Sequence, residues 1–279
     1  MKIKKYYFPL LHNSRISIYP FIRIGGFGLG NMLFPFFRAL VAAIKDGALL
    51  MYPHHFQIQP RNYLRNFSKD SLRNYSSDFN KLNWCTLSRR RSFSLFYTKK
   101  WYDESKIDKE SYIYFQGLKN YFFDLASYQN QIQNFLYYSF LFKPKLIKNI
   151  VAFHLRLGDF VINNQSLDPS LIRKYFHFFI QKSLIIHLYS DSTLKEILMY
   201  LNLEELPNGI LFIKPLSPLK DIIRISQYEY ICGSPYSTFI EWARFIRPIQ
   251  YPNNTFSMLD KSCSDEINIT PLMWGNYFN

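Results

Sequence analysis

Ile150-Val151-Ala152-Phe153-His154-Leu155-Arg156-Leu157-Gly158-Asp159-Phe160 passes from an apolar run into a charged turn with a glycine. Four apolar residues in a row read as a strand buried on both faces, the habit of parallel sheets. The His, Arg, Gly and Asp that follow then lie at the strand's carboxyl end, where open α/β sheets bind their ligands. A guanidinium fixed there suits phosphate better than an ammonium, because its planar fork donates two parallel hydrogen bonds. The same residues would also make a surface pair in a turn, Arg156 with Asp159. This stretch alone leaves both readings open.

Downstream the pattern repeats. Asp168-Pro169 starts a helix to about Lys182, with Asp as cap and Pro at the first position. Strands are expected over 184–189, 210–213 and 228–232. Helices are expected from Ser190-Asp191-Ser192 through Leu201, from Ser217-Pro218 through Ser226, and over 237–246. With 150–155, four strands alternate with helices, which predicts a parallel Rossmann-like sheet. Two further strand ends carry polar groups. In Ser190-Asp191-Ser192-Thr193, Asp191 either accepts from a base or ribose or caps the next helix. Gly233-Ser234-Pro235-Tyr236-Ser237-Thr238-Phe239 offers hydroxyls and a helix N-terminus, both suited to phosphate.

Upstream, residues 16–24 read as a strand with Pro20 at an edge or bulge. The loop Gly25-Gly26-Phe27-Gly28-Leu29-Gly30-Asn31 follows, then an apolar helix from Met32 to Lys45. The loop lacks the third Gly of a dinucleotide fingerprint and the Gly-Lys-Ser/Thr of a P-loop. It still feeds backbone N–H groups into a helix start, an arrangement that favours an anion. Asn31 stands there as a cap or a ligand contact. Residues 48–52 read as a second strand, 57–110 as irregular structure with short helices, and 120–142 as roughly helical. Three polar strand ends in one sheet and a glycine loop in the other half predict a nucleotide-diphosphate cleft between two lobes, 1–147 and 148–279.

Charge divides the chain in the same way. Residues 1–150 hold 23 Lys and Arg against 8 Asp and Glu; residues 151–279 hold 11 against 12, so the net +14 belongs to the first half. That imbalance suits an anionic partner: nucleic acid, anionic lipid or an acidic glycan. Arg89-Arg90-Arg91 is its densest run. Three scattered cysteines, Cys85, Cys232 and Cys263, fit reduced thiols in the cytosol better than a disulfide framework. The six His show no metal-ligand spacing. The basic start Met1-Lys2-Ile3-Lys4-Lys5 is a poor secretory signal, broken by Pro9, His12, Asn13 and Arg15. No apolar run reaches the length of a spanning helix.

Four segments resemble a known family in its own order, across residues 24 to 246. Gly28-Leu29-Gly30-Asn31-Met32-Leu33-Phe34 is similar to the GLGNxLF segment of α-1,2-fucosyltransferases (glycosyltransferase family 11). His154-Leu155-Arg156-Leu157-Gly158-Asp159-Phe160 resembles their HxRxGDY motif. Leu188-Tyr189-Ser190-Asp191 resembles their strand ending in Ser-Asp, and Ser237-Thr238-Phe239-Ile240-Glu241-Trp242-Ala243 their STFSWWGAW segment. The wider superfamily includes protein O-fucosyltransferases and α-1,6-fucosyltransferases. Phe27-Gly28 replaces the usual double Gly, Met32 a Gln, Leu157 the second Arg, and Glu241-Trp242 the paired Trp.

The resemblance implies a GT-B-like α/β fold, two Rossmann-like lobes around a nucleotide-sugar cleft. It implies GDP-β-L-fucose as donor, inversion at the anomeric carbon and no required metal. The absence of any D-x-D sequence independently disfavours a metal-dependent GT-A enzyme. Arg156, with backbone at Gly28, Gly30 and Asn31 and with Ser237 and Thr238, would stabilise the departing diphosphate. Ser190, Asp191 and Phe239 would contact donor. His154 and Asp159 would position Arg156, and Asp159 and Glu241 are the candidate bases. The expected activity is transfer of L-fucose to a glycan hydroxyl, in α-1,2 linkage, in microbial surface polysaccharide or O-antigen synthesis. The basic half would hold a lipid-linked acceptor against the anionic inner face of the cytoplasmic membrane, with no nucleic acid partner. Two rivals stand beside this: a glycosyltransferase of the same fold using another nucleotide sugar, and a basic nucleic-acid-binding protein without catalysis.

Overall fold

The computed structural model describes residues 4–11, 22–24, 28–51, 56–58, 76–82, 87–157, 168–234, 237–248 and 254–257. The chain forms two compact units, Met1–Phe142 and Lys143–Asn279. Every strand pairing described in either unit is parallel.

In the first unit the strands are β1 (Tyr6–Leu10), β2 (Ile22–Ile24), β3 (Leu49–Leu50), β4 (Phe56–Ile58), β5 (Tyr102–Asp103) and β6 (Tyr112–Gln116). The helices are α1 (Leu29–Asp46), α2 (Ser76–Lys81), α3 (Arg89–Thr98) and α4 (Gln129–Ser139). The main sheet runs β3-β1-β6-β5, and β2 pairs with β4 apart from it. The strand before the glycine loop is therefore not in the main sheet. Its expected first part, 16–21, lies outside the described residues. β1 and β6 are not among the expected strands, and β1 contains Pro9. The register explains the tolerance. Tyr6 N–H donates to Ser111 on the β6 side, while the Tyr7 carbonyl accepts from Met51 on the β3 side. With a period of two, Pro9 nitrogen faces the β3 side, where pairing has already ended at Tyr7–Leu50.

Helix α1 starts three residues earlier than its apolar pattern suggests. The Gly28 carbonyl accepts from both Asn31 and Met32 N–H, so Gly30 and Asn31 belong to the first turn and not to a loop. Pro35 consequently sits in the second turn and offers no N–H to the Asn31 carbonyl. The helix is buried almost all round, and Gly47 ends it at φ 63°, a left-handed position where glycine carries no Cβ penalty. Within it Arg38 is buried. Its guanidinium forks onto Glu104 at 3.1 and 3.2 Å and donates to the carbonyls of Gln116, Gly117 and Lys119. All its directions are satisfied, which makes it a structural tie between α1 and the end of β6.

The second unit carries β7 (Ile147–Leu155), β8 (Ile185–Ser190), β9 (Ile210–Phe212), β10 (Tyr228–Gly233) and β11 (Asn254–Ser257). Its helices are α5 (Pro169–Gln181), α6 (Leu194–Leu201), α7 (Pro218–Ile225) and α8 (Thr238–Phe245). The sheet order is β11-β10-β7-β8-β9, the alternation predicted, with β11 as an additional edge. On one face Val151, Phe153 and Leu155 pack with Ile186, Leu188 and Cys232 against Ile172, Phe176 and Phe179 of α5 and Ile197 and Leu201 of α6. Strand alternation then turns Ala152 and His154 to the opposite face. Burial there keeps Cys232, on the packed face, protonated by raising its thiol pKa. Cys85 and Cys263 lie outside the described residues.

Candidate functional site

His154 and Gly233 are register partners at the carboxyl ends of β7 and β10. Gly233 lets α8 approach: a Cβ there would stand 2.6 Å from Ile240 Cγ1. This contact brings Phe239, in the first turn of α8, over the imidazole of His154, with ring centroids 4.8 Å apart and planes inclined by 18°. The N-terminus of α8 therefore sits at the end of the sheet beside the HxR segment. Its leading amides have no intrahelical acceptor, and the helix dipole adds positive potential.

The polar groups around this helix start are buried without partners. Ser237 is the N-cap residue, yet its side chain makes no capping bond. Its Oγ, the Oγ of Ser234 and Nδ1 of His154 have no hydrogen-bond partner, although these residues are only 0%, 3% and 5% exposed. A buried polar atom left so costs about 1–3 kcal/mol, and three in one place ask for a common explanation. Burial first, and then the charge of Arg156, push the pKa of His154 down to about 3. The imidazole is thus neutral, leaving Arg156 and the helix end as the positive features here.

A second strand end fixes the HxR turn. The sequence suggested Ser190-Asp191-Ser192 as the opening of α6, but the cap is Thr193. Its side chain and Glu196 form a reciprocal capping box. That releases Asp191, whose Oδ1 accepts from Leu157 N–H at 3.0 Å. Ser190 Oγ donates to the Leu155 carbonyl at 2.6 Å and accepts from Ser192 N–H at 3.1 Å. These two residues staple the end of β8 to the two residues flanking Arg156. Arg156 itself follows β7 directly and is half-buried.

Seven of the predicted residues thus lie at the carboxyl end of one sheet: His154, Arg156, Ser190, Asp191, Ser237, Thr238 and Phe239. Asp159 lies outside the described residues. Glu241 forms an ion pair with Arg244 one turn along α8. In the other unit Gly28 is the N-cap of α1, and Gly30 and Asn31 lie in its first turn. Asn31 Oδ1 is buried with no hydrogen-bond partner. Ser234 is not among the predicted site residues; its signal in the sequence is its place directly after the strand-ending Gly233. Among the described residues no three His, Cys, Asp or Glu side chains are grouped to hold a metal ion. The arrangement is suited to an anion with several acceptor oxygens, met by hydroxyls, helix amides and one guanidinium.

No family model and no curated protein sequence matches the chain. Several solved structures of NodZ, an alpha-1,6-fucosyltransferase, are similar to it. The form soaked with GDP-fucose is 14% identical over 88% of this chain and 93% of that one, with a TM-score of 0.38. The form co-crystallised with GDP has the same identity and coverage and a TM-score of 0.40. A third, from Bradyrhizobium, is 14% identical over 88% and 94% of the two chains, again with a TM-score of 0.40. Likeness at this level assigns no residue a role, and the site stands on its own geometry.

Proposed function

We propose that the chain is an inverting glycosyltransferase that moves L-fucose from GDP-β-L-fucose to a hydroxyl of a glycan, in α-1,2 linkage. The observation that carries the reading is the group of three buried, unpartnered polar atoms, Ser234 Oγ, Ser237 Oγ and His154 Nδ1, gathered at the α8 N-terminus beside Arg156. A diphosphate supplies acceptors for the serine hydroxyls, the helix amides and the guanidinium at once. The choice of fucose, and of the α-1,2 linkage, draws on the four motif resemblances. In the reaction the acceptor oxygen bonds to the anomeric carbon as the bond to the β-phosphate oxygen breaks. GDP leaves with the electron pair, and the acceptor's proton passes to a base. Arg156 and the α8 amides hold the charge that develops on the leaving oxygen, where fixed donors need no reorganisation.

The test is a donor screen. Purified protein is given GDP-fucose, GDP-mannose and UDP-sugars in turn, and nucleotide release is followed with and without glycan acceptors. Release of GDP from GDP-fucose alone, raised by acceptor and unchanged by EDTA, is the expected result. Turnover of GDP-mannose or a UDP-sugar in its place would reassign the donor. Release of nucleotide from none of them would remove the site assignment altogether.

A further inference from the structure

Helix α3 carries an arrangement that donor chemistry does not use. Between Asp78 and Asp103 the chain has six basic residues and no acidic one. Three of the six, Arg89-Arg90-Arg91, fill the first turn of α3, which holds no acid. Cations there oppose the helix dipole and weaken the helix they begin. The lysines after its end, Lys99 and Lys100, are where the dipole favours them, so the arginines are the residues that call for a reason.

The helix surface supplies one. Ser92 is buried, and Leu95 and Phe96 pack with Phe8, Met51 and Leu87 in a hydrophobic cluster of the unit. At 100° per residue the opposite arc holds Arg90, Ser94 and Tyr97, with Phe93 towards one edge and Thr98 and Arg91 towards the other. Phe93 and Tyr97 are 51% and 47% exposed, and their rings lie against each other with centroids 4.8 Å apart. Ser88 caps the start, accepting from Arg91 N–H, which holds the arginine turn helical despite its charge. An aromatic pair flanked by exposed arginines is the pattern of a helix that lies in a membrane interface. The rings enter the headgroup boundary, and the guanidinium groups stay with anionic lipid.

We propose that α3 docks the protein on a bilayer of anionic lipids, with Phe93 and Tyr97 as the apolar wedge and Arg90 and Arg91 as the charge contact. Charge complementarity selects the occupant: an acid-free basic face meets an anionic plane whose next layer is apolar. A single-stranded nucleic acid would also meet arginines and aromatic rings, but it stacks on open ring faces. Here the two rings cover part of each other.

Sedimentation with vesicles tests this, using the full chain. Wild type is expected to bind vesicles of phosphatidylcholine mixed with phosphatidylglycerol, less so as salt rises, and to ignore phosphatidylcholine alone. Arg90→Gln with Arg91→Gln should lower partitioning about ten- to thirty-fold, as basic groups near an anionic surface each contribute about fivefold. Phe93→Ser with Tyr97→Ser should lower it by a similar factor even at low salt. All four positions are exposed, and removing the arginines relieves the helix dipole, so for the arginine pair circular dichroism should match wild type and the thermal midpoint should stay at or slightly above it. Equal binding of wild type and both double variants would overturn the proposal. So would no preference for anionic vesicles, or loss of oligonucleotide binding in the variants with vesicle binding intact.

Discussion

Asp191 shows how a residue that looks like a ligand contact can act one step away from the ligand. Its carboxylate holds the Leu157 amide, directly after Arg156. Asp191→Ala should leave that buried amide unmatched, lower stability by about 1–3 kcal/mol and weaken GDP binding. Asp191→Asn, whose amide oxygen still accepts, should keep both close to wild type; calorimetry on the pair decides it. Arg156→Lys keeps the charge but loses the fork. It should lower kcat with GDP-fucose roughly 10²–10³-fold in a protein that circular dichroism shows folded, and near-native turnover would take Arg156 out of the site. His154 gives a pH dependence. Burial holds its pKa down to about 3 in the folded chain, against 6.5 ordinarily. Between those values the unfolded chain binds the extra proton, so stability falls as pH drops through 6.5 towards 3, by up to about 1.4 kcal/mol per pH unit. His187, also lowered by burial and by Arg224, adds to the slope. Urea unfolding of His154→Asn across that range should show a shallower fall than wild type.

At the scale of the element, the site depends on how closely α8 lies on β10. The contact between Gly233 and Ile240 sets that distance, and the distance places Phe239 on His154 and Ser237 beside Ser234. Gly233→Ala should destabilise the protein by about 1–3 kcal/mol through overpacking and reduce GDP affinity by moving the helix start. Ile240→Ala removes the obstructing Cγ1. The double variant should therefore be more stable than the sum of the two single losses predicts, a coupling that a double-mutant cycle measures. Strict additivity would mean that the helix does not rest on this contact. The capping box of α6 works at the same scale. Because Thr193 and Glu196 satisfy the helix start themselves, the residues before them are available to brace β7.

For the whole molecule, the donor-binding groups proposed here all belong to the unit Lys143–Asn279. GDP at a hundredfold excess over its dissociation constant should stabilise the native chain by about 2.7 kcal/mol. Hydrogen exchange should show the protection centred on the ends of β7, β8 and β10 and the start of α8, with EDTA making no difference; protection elsewhere alone would move the site. The amino-acid sequence by itself determined the alternation of strands and helices in this unit. Its apolar runs are long, and Asp-Pro, Ser-Pro and Gly-Ser mark their ends, so local chemistry suffices. It also marked the HxR turn and the Ser237-Thr238-Phe239 helix start as places where polar groups follow buried strands. In the first unit the sequence did not mark β1, and only the neighbouring strand's early end lets Pro9 sit in it without an N–H to donate. The pairing of Asp191 with Leu157 was equally hidden, since it joins residues 34 apart in sequence. Tertiary structure alone decided that Ser234, Ser237 and His154 would be buried together without partners. Burial of that kind is a property of packed faces, and no local pattern of residues encodes it.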